Sequence, residues 1–150
     1  MKKSERFKVI IDIQAQQEKQ SLQALGACQQ QKQALEGQLR NLRSYRREYA
    51  EKFDAAESRG MSIGQLLEFR AFIDKLDKAI AAQQQTVEDK NKELLRFRKN
   101  WEQNHRKTQS LQKIGERAVL EEVKLADKRE QAEQDERASR AGRKNGMGTA

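Results

Sequence analysis

Few residues in this chain could do covalent or metal chemistry. His105 is the single histidine and Cys28 the single cysteine. His105 lies in KNWEQNHRK, a charged helical stretch, and reads as an exposed surface side chain. A metal site needs further ligands at helical spacing, and Cys28 is far away in sequence. Cys28 reads as a small buried filler rather than a nucleophile. GMSIG, residues 60–64, lacks the lysine and hydroxyl residue that complete a phosphate loop. Carboxylates abound, but charged residues make up 36 % of the chain, so they are expected as i,i+4 ion pairs on helices. The expectation is a protein without catalytic residues, without a metal and without a cofactor.

The residues that ask for another explanation are Tyr45 and Tyr49 in QLRNLRSYRREY, residues 38–49. They sit one helical turn apart among Arg40, Arg43, Arg46 and Arg47. Lys90, Lys92, Arg96, Arg98 and Lys99 form a second basic group. Basic groups with aromatics can grip single-stranded nucleic acid. Here Glu36, Glu48, Asp89 and Glu93 interleave with them, and the basic region of a leucine zipper is missing. No nucleic acid is expected; a basic nucleic-acid-binding coiled coil stays as the lesser alternative.

The elements that position these residues follow from composition and period. The chain has 150 residues, a net charge of +8, 5 % aromatics and a mean hydropathy of −1.08. So polar a chain is either disordered or built of long helices. It contains no proline, where about seven would be average. The abundant residues are Gln, Glu, Lys, Arg, Ala and Leu, all good helix formers. With one cysteine no internal disulfide can form, which fits a reducing compartment. The N-terminal apolar run is short and carries Asp12, unlike a signal peptide. No stretch approaches the roughly 18 apolar residues of a membrane span. The chain reads as cytoplasmic.

In the second half, Leu66, Phe69, Ile73, Leu76, Ile80, Gln83, Val87, Lys90, Leu94, Phe97, Trp101, Asn104, Thr108, Leu111, Gly115 and Ala118 alternate steps of three and four. This is a heptad seam. The first half is weaker: Ile11, Ala15, Leu22 and Leu25 share one phase, and Leu35, Leu39, Leu42, Tyr49 and Phe53 another. The change of phase implies a slip, with a bend or loosened pairing near residues 26–33. Between the halves, ESRGMSIGQ offers Gly60 as a helix stop and Ser62 with Gln65 as a capping box.

The predicted fold is all-α: a long two-helix antiparallel coiled-coil hairpin with a C-terminal helical overhang. The helices are expected at about 5–57 and 63–138, with a turn at 58–62, as one domain over residues 1–141. Residues 142–150 are expected to be a disordered tail. Facing numbers should sum to about 121, so that Phe53 meets the Leu67 region and Phe7 meets Ile114. Under this mirror, Gln38, Leu42, Tyr45 and Tyr49 face Gln83, Ala79, Leu76 and Phe72. Tyr45 and Phe72 lie one position beside the seam and widen its apolar band, as at partner-binding surfaces.

LRSYRREY, RGMSIGQL, FRAFIDKLDKAIAAQ, the helix of Trp101 and the closing KREQAEQDERA together resemble the FliJ family of the bacterial flagellar type III export apparatus. The resemblance covers most of the chain. It implies a two-helix antiparallel coiled coil similar to the gamma-subunit stalk of rotary ATP synthases, with no catalysis of its own. It implies as partners the hexameric export ATPase FliI, the export gate protein FlhA and export chaperones, at the cytoplasmic face of the inner membrane. The gate-binding cluster maps onto Gln38, Leu42, Tyr45, Tyr49, Phe72, Leu76, Ala79 and Gln83. By analogy with a stalk, the ATPase is expected at Phe7, Ile10, Ile11, Ile114, Ala118, Val119 and Val123. The alternative within this class is the equivalent stalk of a virulence-type secretion injectisome.

Overall fold

The computed structural model describes residues 2–147. They form two helices, α1 (Lys3–Ser58) and α2 (Ile63–Met147), and no strand among the described residues. The absence of proline leaves every helical amide able to bond. Nothing thus stops α1 until Gly60, and no proline interrupts α2.

At that turn the expected signals operate. Gly60 adopts φ of 91°, a left-handed conformation open to glycine and strained for a side chain. Its amide donates to the Glu57 carbonyl at 3.1 Å. The start of α2 is a reciprocal capping box: the Gln65 amide donates to Ser62 Oγ at 3.2 Å, and the Ser62 amide to Gln65 Oε1 at 3.3 Å. Two otherwise orphaned donors are satisfied by side chains four atoms long or shorter.

The chain divides into two compact bodies. One is Lys19–Gln103; the other comprises the described parts of Met1–Glu18 and Asn104–Ala150. In Lys19–Gln103 the helices are antiparallel: Gln31 meets Lys90, and Tyr49 meets Phe72. All seam positions from Leu66 to Trp101 are buried or half-buried, as are Ser21, Leu25, Cys28, Lys32, Leu35, Leu39, Leu42, Arg46, Tyr49, Phe53 and Ala56 on α1. Those α1 positions alternate three and four without interruption. No slip exists at residues 26–33: α1 is helical throughout, and Cys28 is buried at 3 % exposure. The sequence misled because Leu22 is apolar yet exposed, while the polar Ser21 takes the seam position. One continuous phase keeps every α1 layer opposite an α2 layer; a slip would have turned the next layers to solvent.

In the other body the helices are again antiparallel. Gln14 Nε2 donates to the carbonyl and to Oδ1 of Asn104, both at 3.2 Å. Ser4 Oγ donates to Glu122 Oε2 at 2.6 Å, and the Ser4 amide to Oε1 at 3.0 Å. Here too the polar Gln14, and not the exposed Ala15, holds the seam. Within Lys19–Gln103, facing residues follow the expected mirror: Gln38 meets Gln83 and Tyr49 meets Phe72, each pair totalling 121, while Phe53 lies on Phe69, two positions beyond the Leu67 expected for it.

Past Glu122, α2 is exposed from Val123 to Gly146. The sequence ended this helix near 138 and expected disorder from 142. Instead α2 continues to Met147, and residues 148–150 lie outside the described residues. Gly142 and Gly146 each cost a helix about 1 kcal/mol, which does not outweigh the good formers around them. Arg140 also pairs with Glu136 one turn back at 2.6 Å.

Candidate docking surfaces

Within Lys19–Gln103, five rings form a ladder. Tyr45 meets Phe72 edge-on at 6.1 Å between centroids and Tyr49 at 6.4 Å. Tyr49 meets Phe72 at 4.5 Å and Phe69 at 5.0 Å, and Phe53 meets Phe69 at 5.1 Å. Such tilted and edge contacts are the favoured geometries for aromatic pairs. Tyr49, Phe53, Phe69 and Phe72 are half-buried, whereas Tyr45 is 49 % exposed. The ladder thus holds one tyrosine ring in a fixed place at the surface.

Beside Tyr45 lies a shallow groove of about 450 Å³ lined by Gln38, Asn41, Leu42, Tyr45 and Gln83. Its amide side is locked: Gln83 Nε2 donates to the Leu35 carbonyl at 3.0 Å and to Gln38 Oε1 at 3.1 Å. The eight residues singled out by the resemblance therefore divide by depth. Gln38, Leu42, Tyr45 and Gln83 share the groove, Tyr49 and Phe72 support the ring, and Ala79 is exposed. Leu76 is buried at 7 % and takes no part in the surface. Sequence reasoning passed over Asn41 and the Leu35 carbonyl, which no residue type announces. It placed Phe53 and Phe69 in the seam without seeing that their rings extend the ladder.

Arg46 points to the other flank, where its guanidinium grips the Asp77 carboxylate with two nitrogens. That hydrogen bond, with the positive charge behind it, holds the Asp77 carboxyl below its usual range. Arg46 is thus a cross-helix clamp, one of the four arginines of the motif.

In the other body the seven residues expected at the ATPase fall into different environments. Ala118 is buried in the seam at 4 %, and Phe7 and Ile11 are half-buried. Ile10, Ile114, Val119 and Val123 are exposed. Ile11 and Val119 line one groove of about 890 Å³ with Ser4, Lys8, Gly115 and Leu120, and Ile10 and Ile114 do not. The groove reaches the backbone because residue 115 is glycine: a Cβ there would stand 2.9 Å from Ile11 Cδ1.

His105 departs from its sequence reading. It is half-buried, with Nδ1 2.6 Å from Glu18 Oε1. An ionised carboxylate only accepts, so the ring carries its hydrogen on Nδ1. Hydrogen bonds from His105 and then Thr108 hold the Glu18 carboxyl below its usual range. The signal was available: Glu18 lies at a seam position, and a seam carboxylate needs a donor.

Among the described residues, no cluster of three or more His, Cys, Asp or Glu is placed to hold a metal ion, and no helix is long and apolar enough to cross a membrane. No curated protein and no solved structure matches the chain. A family model described as flagellar FliJ protein matches residues 2–147. With nearly the whole chain matched and its fold an all-α helical hairpin, the protein belongs to the flagellar FliJ family and is an export-related flagellar protein.

Proposed function

We propose that this protein is a non-enzymatic stalk of the flagellar type III export apparatus, working at the cytoplasmic face of the inner membrane. In this reading the Tyr45 face docks on the export gate protein FlhA. The body containing Phe7, Ile10, Ile11, Ile114, Val119 and Val123 engages the centre of the hexameric ATPase FliI, and export chaperones bind in passing. The observation that supports it is the ring of Tyr45, half-exposed yet braced by Tyr49 and Phe72. A ring whose orientation is already fixed loses little entropy on binding, as at interface hot spots.

The test is to replace Tyr45 and Gln38 with alanine and measure binding to the gate protein and stimulation of the ATPase separately. Gate binding is expected to weaken about tenfold or more, with ATPase stimulation unchanged. Undiminished gate binding by a normally helical variant would remove the site assignment.

A further inference from the structure

The arginines of QLRNLRSYRREY do not surround Tyr45. At about 100° per residue, Arg40, Arg43 and Arg47 lie some 140–160° around α1 from it. They form a ridge of their own, stepping about 4.5 and 6 Å along the axis, and all three are exposed. None has an ion-pair partner among the described residues, for Glu36 is taken by Lys32 at 3.6 Å and Asp77 by Arg46. Arg70 of α2 is likewise exposed and unpaired.

Beside this ridge is a groove of about 380 Å³ with Ala50, Phe53, Phe69 and Ile73 along it, and Arg46, Arg70 and Asp74 at its edges. Ala50 lies one turn from both Arg46 and Arg47 on the same side of α1, so ridge and groove adjoin. The ring ladder therefore has two flanks: Tyr45 occupies one, and the small Ala50 leaves the other accessible.

We infer that the Arg40–Arg43–Arg47 ridge and this groove form a second docking surface, separate from the Tyr45 face, for an acidic amphipathic helix of a protein partner. Arginines held three and four apart match carboxylates at the same spacing on a second helix. The groove takes the apolar side chains of the neighbouring row, the helix-in-groove mode. A nucleic-acid backbone fits less well. It offers nothing apolar to Phe53, Phe69 and Ile73, and its continuous charge would run onto Asp74 and Asp77.

The test titrates the full-length protein with a synthetic helix bearing one Glu row and one adjacent Leu row. Duplex DNA and phosphatidylserine vesicles are titrated in parallel. Saturable peptide binding that weakens with salt is expected. The combined Arg40→Glu, Arg43→Glu and Arg47→Glu variant should weaken it about tenfold or more, as should replacing the peptide's leucines with serine. These arginines are exposed, so the variant is expected to keep its helicity by circular dichroism. Tyr45→Ala should leave the peptide affinity within about twofold, which separates this surface from the proposed gate-binding face. The inference is overturned if the triple variant or the serine peptide binds as well as its parent. Tighter capture of DNA or vesicles than of the acidic peptide, or loss of peptide binding in Tyr45→Ala, overturns it equally.

Discussion

Tyr49 and Phe72 bring their ring centroids to 4.5 Å across the two helices, the shortest step of the ladder. Both rings are half-buried, so their contact sustains the hairpin as well as the ring of Tyr45 above it. Tyr49→Ala is expected to cost about 2 kcal/mol, less than a fully buried aromatic truncation. Tyr45→Ala, half in solvent, should cost under about 1 kcal/mol. Urea denaturation of both variants measures the difference. Equal losses would mean that Tyr45 is a packing residue and not a surface presented by its neighbours.

The glycines separate backbone need from tolerance. A Cβ at Gly26 meets nothing within 4 Å, so Gly26→Ala in the middle of α1 should stabilise by about 1 kcal/mol. Gly60 also has open space around it, but its φ of 91° makes Gly60→Ala destabilising by about 1 kcal/mol. The two melts should therefore move in opposite directions from the same substitution.

The turn was legible because Gly60 acts through its own backbone and Ser62 and Gln65 bond each other's amides with their side chains, local rules that need no knowledge of a partner helix. The α2 seam was legible for a related reason: aliphatic and aromatic residues fill most of its heptad. The α1 seam was not, since Gln14, Glu18, Ser21, Lys32 and Arg46 hold seam positions and periodicity counts only apolar residues. Their burial is tolerable through partners on α2, such as Asn104 for Gln14 and His105 for Glu18, which one helix's sequence cannot display. The Tyr45 face was half legible. Mirroring the numbers found the facing row, but the depth of Leu76 and the second flank at Ala50 depend on three-dimensional packing.

His105 and Glu18 supply the test of a polar layer. His105→Ala leaves the seam carboxylate without its principal donor, which should cost about 1 kcal/mol near neutral pH. Because Glu18 titrates below its usual range when folded, its contribution is present above that range and fades as pH falls through the lowered value. The carbon chemical shift of the Glu18 carboxyl should therefore titrate at higher pH in His105→Ala than in the parent. An unmoved titration would mean that Thr108 or the helix itself sets the Glu18 carboxyl.

Glu122 caps α1 from the opposite helix. The first turn of any helix has amides without intrahelical acceptors. Ser4 presents both its amide and its hydroxyl to the two oxygens of Glu122. Those bonds, the hydroxyl's first, hold the Glu122 carboxyl below its usual range. A carboxyl lowered in the folded state stabilises above its unfolded value, and that stabilisation disappears as pH falls through the folded value. The Ser4 amide proton should therefore keep its hydrogen-bonded chemical shift through neutral and mildly acidic pH, and lose it only below the usual carboxylate range. In Glu122→Gln the transition should vanish, with the shift displaced at every pH. A transition retained unchanged in Glu122→Gln would show that the cap from α2 does not hold the helix start.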